Sequence, residues 1–282
     1  MKTKIVYSEK CLGYGHRHIE GPQRVKIASE ILRGKGYELV EPAAATEEDL
    51  LIVHDKEYLW KLKKGLVEDT DTPAYKGIFE YASLSVGGAL LASQINGFSL
   101  MRPPGHHVGR SGAALGVPTR GFCYLNNIAI AVKKLGKKTL ILDVDGHHGN
   151  GTQEVFQGDD RVTYLSLHQS PNYPGTGALS ERNCINVALP PDVGGRLYLE
   201  TLDRTLRRVD FSEVEAVAVS CGFDTHQGDL ASLGLVERDY WEIGKRVADI
   251  NKSVFFVLEG GYVGQNVGSD IDSLLRGYEE NK

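Results

Sequence analysis

The sequence has few cysteines, and none of them belongs to a recognisable motif. Its four thiols, at Cys11, Cys123, Cys184 and Cys221, lie far apart and form no Cys-x-x-Cys pair. Widely spaced cysteines are typical of reduced thiols in the cytoplasm rather than of a disulfide framework. We therefore expect a cytoplasmic protein with free cysteines.

Long apolar segments and an excess of basic charge are also absent. No run of about 18 apolar residues occurs, so the sequence predicts no membrane-spanning helix. Residues 1–8 carry charge but no apolar core, so no signal peptide is predicted. The formal net charge of -5 argues against the basic surface that general nucleic-acid binding requires. We expect neither a membrane nor a nucleic acid as a partner.

A regular alternation of strands and helices is present instead. The 282 residues are 41% hydrophobic, enough for a substantial core, and no linker or repeat divides them. Apolar runs predict strands at residues 4–7, 98–101, 139–144, 162–167, 216–220 and 253–258. Amphipathic patterns predict helices at residues 23–32, 47–53, 57–64, 77–94, 125–135, 195–209 and 236–250. This order predicts an α/β fold, a single three-layer domain over residues 1–282 with a mostly parallel central sheet.

One stretch concentrates reactive side chains. An apolar run from Leu140 leads directly into Asp143-Val-Asp145-Gly-His147-His148. Asp143 and Asp145 are two residues apart, so in an extended chain they point to the same side. Buried carboxylates that face one another are costly unless a cation or a proton lies between them. The pattern therefore predicts a metal site.

Three further loops with reactive side chains follow other predicted strands. In open α/β sheets, ligands bind beyond the carboxyl ends of the strands, so loops at that edge should meet. The loops are Arg102-Pro-Pro-Gly-His106-His107, Ser220-Cys-Gly-Phe-Asp224 and Glu259-Gly-Gly-Tyr262. Together with the Asp143 stretch they predict one shared site.

These loops, with two more motifs, resemble the zinc-dependent histone deacetylase family. The additional motifs are Gly121-Phe-Cys-Tyr-Leu-Asn-Asn127 and Pro174-Gly-Thr-Gly177. The family includes acetylpolyamine amidohydrolases and acetoin-utilisation proteins, and the similarity extends in order from about His16 to Tyr262. The resemblance implies an arginase/deacetylase-like fold and hydrolysis of an N-acetyl amide at a single Zn²⁺. The substrate would be an acetyl-lysine side chain or a small acetylated amine.

The resemblance implies that Asp145, His147 and Asp224 are the metal ligands. Three protein ligands leave one position open, which is typical of a catalytic rather than a structural zinc. Mixed carboxylate and imidazole donors also suit Fe²⁺ or Co²⁺. A K⁺ site is implied nearby, lined by Asp143, Asp145, His147, Ser166 and Leu167.

The resemblance also implies the catalytic side chains. His106 and His107 match the tandem histidines of the family, with Asp143 as the partner of His106 and Asn150 as the partner of His107. A carboxylate holds an imidazole cationic, whereas an amide orients it without raising its pKa, so His107 is the better general base. Tyr262 would donate its hydroxyl to the substrate carbonyl.

The family's acyl-lysine tunnel has matching residues in Gly121, Phe122 and Tyr173. The loop 110–119 and the acidic turn 68–71 are expected at the tunnel rim, where they would select substrates. Some polyamine-selective relatives place a glutamate about seven residues beyond the metal aspartate, where this sequence has Ala231. We therefore expect no strong preference for polyamines.

Three other functions fit the sequence less well. An acetylpolyamine-selective amidohydrolase would need an acidic contact for a distant ammonium. A binuclear-manganese ureohydrolase would need Asp-x-His-x-Asp, which the stretch from Asp143 to His147 does not contain. A non-catalytic acyl-lysine binding protein would be expected to lack a catalytic residue, and none is missing.

Overall fold

Eight parallel strands form one central sheet in the computed structural model, which describes residues 2–282. The strands are β1 Ile5–Val6, β2 Leu39–Val40, β3 Phe98–Ser99, β4 Thr139–Asp143, β5 Val162–Gln169, β6 Cys184–Leu189, β7 Ala216–Cys221 and β8 Ser253–Leu258. Their order across the sheet is β2-β1-β3-β8-β7-β4-β5-β6, and each neighbouring pair is parallel. The predicted α/β fold is confirmed, and the sheet is parallel throughout rather than mostly parallel.

Helices cover both faces of the sheet. They are α1 Gln23–Gly34, α2 Glu47–Leu50, α3 Lys56–Lys63, α4 Ile78–Ile95, α5 Asn127–Leu135, α6 Asn150–Phe156, α7 Gly195–Leu206, α8 Glu237–Asp249 and α9 Gly264–Asn281, with a 3-10 turn at Glu9–Leu12. On β4, Leu140 and Leu142 enter the core that contains residues of α1, α7, α8 and α9. Ile141, between them, enters the core that contains residues of α3, α4, α5 and α6. Alternate side chains of one strand thus enter two cores, which produces three layers.

Four elements are not among the sequence predictions: β2, β6, α6 and α9. Helix α9 has a weak helical signal because it contains Gly264, Gly268 and Gly277. A Cβ atom at Gly277 would lie 2.0 Å from the carbonyl oxygen of Trp241 on α8, so the glycine permits close helix packing. Tertiary packing therefore outweighs low helix propensity in this segment. Strands β2 and β6 lie at the two edges of the sheet; β2 is only two residues long, and Asn186 interrupts the apolar run of β6.

The sheet order places the four reactive loops beside one another. They follow β3, β8, β7 and β4, which are four consecutive neighbours in the sheet although they are distant in sequence. Register supports the arrangement, because Asp143 pairs with Ser220 and Ser220 pairs with Val257. The carboxyl ends of these strands therefore bring the predicted site residues to one edge.

The close contact of α8 with α9 generates a stability prediction. A Cβ atom at Gly244 on α8 would lie 1.9 Å from the backbone carbonyl oxygen of Leu274, which cannot move without shifting α9. Gly244→Ala should lower the free energy of unfolding by about 1–3 kcal/mol, measured by denaturant or thermal unfolding. Gly34→Ala is the matched control, because its added Cβ would meet no atom within 4 Å apart from its chain neighbours and the backbone of its own helix. Equal stability of the two variants would contradict the close packing.

Candidate metal and catalytic site

Three buried side chains converge at the carboxyl ends of β4 and β7. Ligand atoms of Asp145, His147 and Asp224 all lie within 4.8 Å of one another. His147 Nδ1 lies 2.8 Å from Asp224 Oδ2 and 3.2 Å from Asp145 Oδ1. The structure therefore brings the three predicted metal ligands together.

The hydrogen bonds of this cluster fit a bound divalent cation. Asp145 Oδ2 accepts from the backbone N–H of Gly260 at 2.7 Å, and Asp224 Oδ1 accepts from Gly146 at 2.9 Å. Asp224 Oδ2 is buried beside His147 but receives no oriented hydrogen bond from any described residue. A buried carboxylate oxygen without a donor is costly, and a cation held by Asp145, His147 and Asp224 would satisfy it.

Two glycines allow the backbone to approach the carboxylates. A Cβ atom at Gly222 would lie 2.1 Å from Asp145 Oδ2, and one at Gly260 would lie 2.4 Å from Asp224 Oδ2. Any larger residue at either position would displace a proposed ligand. The glycines of the strand-end loops are thus required by the space around the cluster.

The tandem histidines lie beside the cluster with separate partners. His106 Nδ1 lies 3.1 Å from Asp143 Oδ2, and His107 Nδ1 lies 2.8 Å from Asn150 Oδ1. The amide of Asn150 donates through Nδ2 to the carbonyl oxygen of Ala114, so its Oδ1 faces His107 as an acceptor. His107 therefore carries its proton on Nδ1, which leaves Nε2 as a proton acceptor.

The two imidazoles have pKa values shifted in opposite directions. Burial alone would lower the pKa of His106, but the carboxylates of Asp145 and Asp143 outweigh it and raise the pKa to about 10. Burial, reinforced by the positive charge of the adjacent His106, holds the pKa of His107 well below its usual range. One histidine is thus cationic and the other is neutral.

A cavity of about 280 Å³ opens over this site. Phe122 and Tyr173 form walls of it, and the ring of Tyr262 meets that of Phe122 at 90° with 5.8 Å between centroids. Gly121 adopts a φ of 51°, and a Cβ atom there would lie 2.4 Å from the His107 ring. The complete lining is Asp71, His107, Gly121, Phe122, His147, Asn172, Tyr173, Leu230 and Tyr262.

Two of the lining residues, Asn172 and Leu230, lie outside the motifs that the sequence predicts for the site. Asp71 belongs to the acidic turn 68–71, whose charge and position in a loop before α4 indicate a place at the rim. Its Oδ1 accepts from the hydroxyl of Thr72 at 2.6 Å, and the same hydroxyl accepts from the backbone N–H of Phe122. The acidic turn is therefore fastened to the tunnel wall.

The loop 110–119 lies mostly elsewhere than expected. The backbone N–H groups of Arg110 and Leu115 donate to Glu154 on α6, and the Arg110 side chain donates to Val155. These contacts hold the loop against α6. Only its end reaches the tunnel, where the Thr119 hydroxyl lies 3.2 Å from that of Tyr173. The loop therefore supports a wall and does not line the described cavity.

The residues of the implied K⁺ site are all buried beside the cluster. Asp143 and Ser166 are direct neighbours in the β4–β5 register, with Leu167 next along β5. Asp143 Oδ1 accepts from the backbone N–H of Asp145 at 3.2 Å. This arrangement brings the residues together, and K⁺ binding stays a prediction.

Comparison with known proteins identifies the family. Residues 18–278 match the family model described as the histone deacetylase domain. The chain belongs to this family. A probable deacetylase of Archaeoglobus fulgidus is 38% identical, with 93% of this chain and 82% of the relative covered. Acetylpolyamine amidohydrolase 1 of Pseudomonas aeruginosa is 34% identical, with 75% of this chain and 65% of the relative covered.

Solved structures share the fold of this histone deacetylase family member. The HDA15 HD domain matches with a TM-score of 0.87 at 27% identity, covering 100% of this chain and 90% of that one. An acetylpolyamine aminohydrolase of Burkholderia pseudomallei matches with a TM-score of 0.90 at 23% identity, covering 99% of each chain. Among residues 2–282, no helix has the length and apolar character needed to cross a bilayer.

The ligand cluster generates a metal-binding prediction. Asp145→Ala, His147→Ala and Asp224→Ala should each lose most of the bound zinc and nearly all activity, because three ligands leave no redundancy. Elemental analysis of zinc-reconstituted protein measures the metal content per chain. Asp159→Ala is a suitable control, since that carboxylate pairs with Lys133 away from the cluster. Full zinc occupancy in any of the three variants would contradict the assignment.

Proposed function

We propose that the protein is a zinc-dependent amidohydrolase that removes acetyl groups from N-acetylated amines. The observation that carries this proposal is the convergence of three kinds of group on one cavity. These are the ligand cluster around His147, the neutral imidazole of His107 and the phenol of Tyr262. Amide hydrolysis needs an activated water, a base and a donor to the carbonyl oxygen. The ligand cluster could hold the metal that activates the water, His107 is the candidate base, and the Tyr262 hydroxyl is the candidate donor.

Zn²⁺ held by Asp145, His147 and Asp224 would supply Lewis-acid polarisation of the amide carbonyl and would lower the pKa of water. Fe²⁺ or Co²⁺ could supply the same chemistry through these donors. We also infer that K⁺ binds beside Asp143 and Ser166, which are neighbours in the register of β4 and β5.

The protein side chains divide the proton transfers. His107 accepts the proton of the attacking water on Nε2 and returns it to the leaving amine nitrogen. The hydroxyl of Tyr262 donates a hydrogen bond to the carbonyl oxygen as negative charge develops on it. His106, kept cationic beside Asp143, adds positive charge near the same atoms. Each role follows from the protonation state that the surroundings impose.

The cavity shape supports a linear acylated alkylamine as the substrate. Phe122 and Tyr173 offer aromatic faces to the methylene groups of a substrate. Such contacts do not distinguish the amino-acid sequence around an acetylated lysine. Discrimination between substrates therefore depends on other lining residues of the same cavity, which are Asp71, Asn172 and Leu230. The Asp71 carboxylate can accept a hydrogen bond from a substrate amide N–H or from an ammonium group.

Features of the cavity and of the metal cluster bear on two alternative functions. Asp71 is an acidic contact that a polyamine could use, and one relative bears the name acetylpolyamine amidohydrolase. A single carboxylate already bound to the Thr72 hydroxyl gives an ammonium limited discrimination. For a binuclear ureohydrolase, the described residues offer one metal cluster, Asp145, His147 and Asp224, and no second one.

The opposite protonation states of the histidines predict unequal mutational effects. His107→Ala should lower kcat by about 10²–10⁴-fold, the range for loss of a general base. His106→Ala should lower kcat less, because its proposed role is electrostatic. Steady-state kinetics on zinc-loaded protein measure both effects. Equal losses would indicate that the two histidines share the proton transfer.

The tunnel and mouth predict the substrate range. Zinc-loaded protein should deacetylate acetyl-lysine peptides, and kcat/KM for acetylspermidine or acetylputrescine should exceed theirs by less than about 100-fold, which is nearly 3 kcal/mol. Asp71→Asn should raise KM with little change in kcat. A larger polyamine preference, abolished by Asp71→Asn, would favour the polyamine alternative.

Removal of the Tyr262 hydroxyl tests whether the measured turnover arises at this site. Tyr262→Phe keeps the ring against Phe122 but deletes the donor, so kcat should fall by about 10²–10³-fold on every substrate. No detectable hydrolysis by the parent protein, with zinc bound and acyl-lysine binding retained, would favour the non-catalytic alternative.

A further inference from the structure

Glu259 is a fully buried carboxylic acid that the proposed mechanism does not use. It follows β8, which lies between β3 and β7 in the sheet, so it stands between the loop of the tandem histidines and the loop of Asp224. It is outside the ligand cluster and is not part of the cavity lining. Its position calls for a different role.

The side chain of Glu259 holds the histidine loop. Its Oε2 accepts from the backbone N–H of Gly105 at 2.7 Å and from that of His106 at 3.1 Å. Both N–H groups belong to buried residues, and a buried amide without an acceptor is unstable. One carboxyl oxygen thus determines where the backbone of the first catalytic histidine lies.

The backbone around Glu259 is fastened to the other parts of the site. The N–H of the next residue, Gly260, donates to the metal-ligand candidate Asp145 at 2.7 Å. The guanidinium of Arg24 donates to the carbonyl oxygens of Glu259 and Gly261, immediately before Tyr262. The side chain therefore joins the histidine loop to a segment that is already tied to the metal cluster and to the catalytic tyrosine.

The hydrogen bonds of Glu259 do not require a negative charge. Burial raises the pKa of its carboxyl group to about 7. Its Oε2 can accept from an N–H in either protonation state, and an amide oxygen has the same capacity. The uncharged amide of glutamine has nearly the same shape. Acceptor geometry is therefore sufficient to explain the contacts.

We propose that Glu259 is a positioning residue, which places His106 and His107 relative to Tyr262 and the metal ligands through its hydrogen bonds to the amides of residues 105 and 106. It acts as a hydrogen-bond acceptor of fixed position and not through its charge. This inference rests on the proposed deacetylase function.

Three variants test the proposal in zinc-loaded, full-length protein. Glu259→Ala removes the acceptor, Glu259→Gln keeps it without charge, and Ser220→Ala is the control. The Ser220 hydroxyl approaches the other oxygen, Oε1, at 3.4 Å, so its removal leaves both amide contacts intact. Glu259→Ala should lower kcat by about 10–100-fold, the scale of a misplaced catalytic group, with KM nearly unchanged. Glu259→Gln and Ser220→Ala should stay within about threefold of the parent.

Two measurements separate positioning from a general loss of structure. Zinc content should stay at one per chain in all three variants, and amide hydrogen exchange in residues 105–108 should accelerate in Glu259→Ala but not in Glu259→Gln. The exchange measurement needs no activity, so it tests the contact even if the proposed function fails. Parent-like kcat or unchanged exchange in Glu259→Ala, loss of zinc from it, or equal damage in Glu259→Gln would each overturn the proposal.

Discussion

The site depends on the compensation of four acidic groups that are buried in one crevice. Asp143, Asp145, Asp224 and Glu259 come from three neighbouring strand ends, and none is exposed to solvent. Each therefore needs nearby hydrogen-bond donors or positive charge. Backbone amides, the Tyr164 hydroxyl and the cationic His106 provide part of this compensation, and a divalent cation would complete it.

The same balance of charges determines the protonation states of the two histidines. Carboxylates surround His106, whereas the neighbour of His107 is a neutral amide. Two adjacent residues of one loop consequently differ in charge, although their rings are only 4.1 Å apart between centroids. Repulsion from the charged ring helps to keep the second ring neutral. The pair thus functions as a unit in which the state of one imidazole supports that of the other.

The sequence predicts the geometry of the site where a short motif at a strand end determines the direction of its side chains. Two aspartates separated by one residue at a strand end must share a side, and the parallel sheet then brings distant loops such as Gly222–Asp224 to the same edge. Helix α9 was not predictable because its glycines look unfavourable until α8 is beside them. Asn172 and Leu230 reach the cavity through loop conformations that no periodicity encodes. Only Thr119 of the loop 110–119 reaches the tunnel, because the rest of the loop is anchored on Glu154, which lies on a helix that the sequence does not predict.

The order of strands also constrains how the sheet assembles during folding. Strand β8 is the last strand in the chain, but it lies in the middle of the sheet, with β3 on one side and β7 on the other. Until the C-terminal segment inserts, β1 to β3 have no strand connecting them to β4 to β7. Pairing between such distant parts of a chain carries a loop-closure cost that slows folding. An N-terminal fragment ending before β8 can therefore have neither the continuous sheet nor the Tyr262 loop.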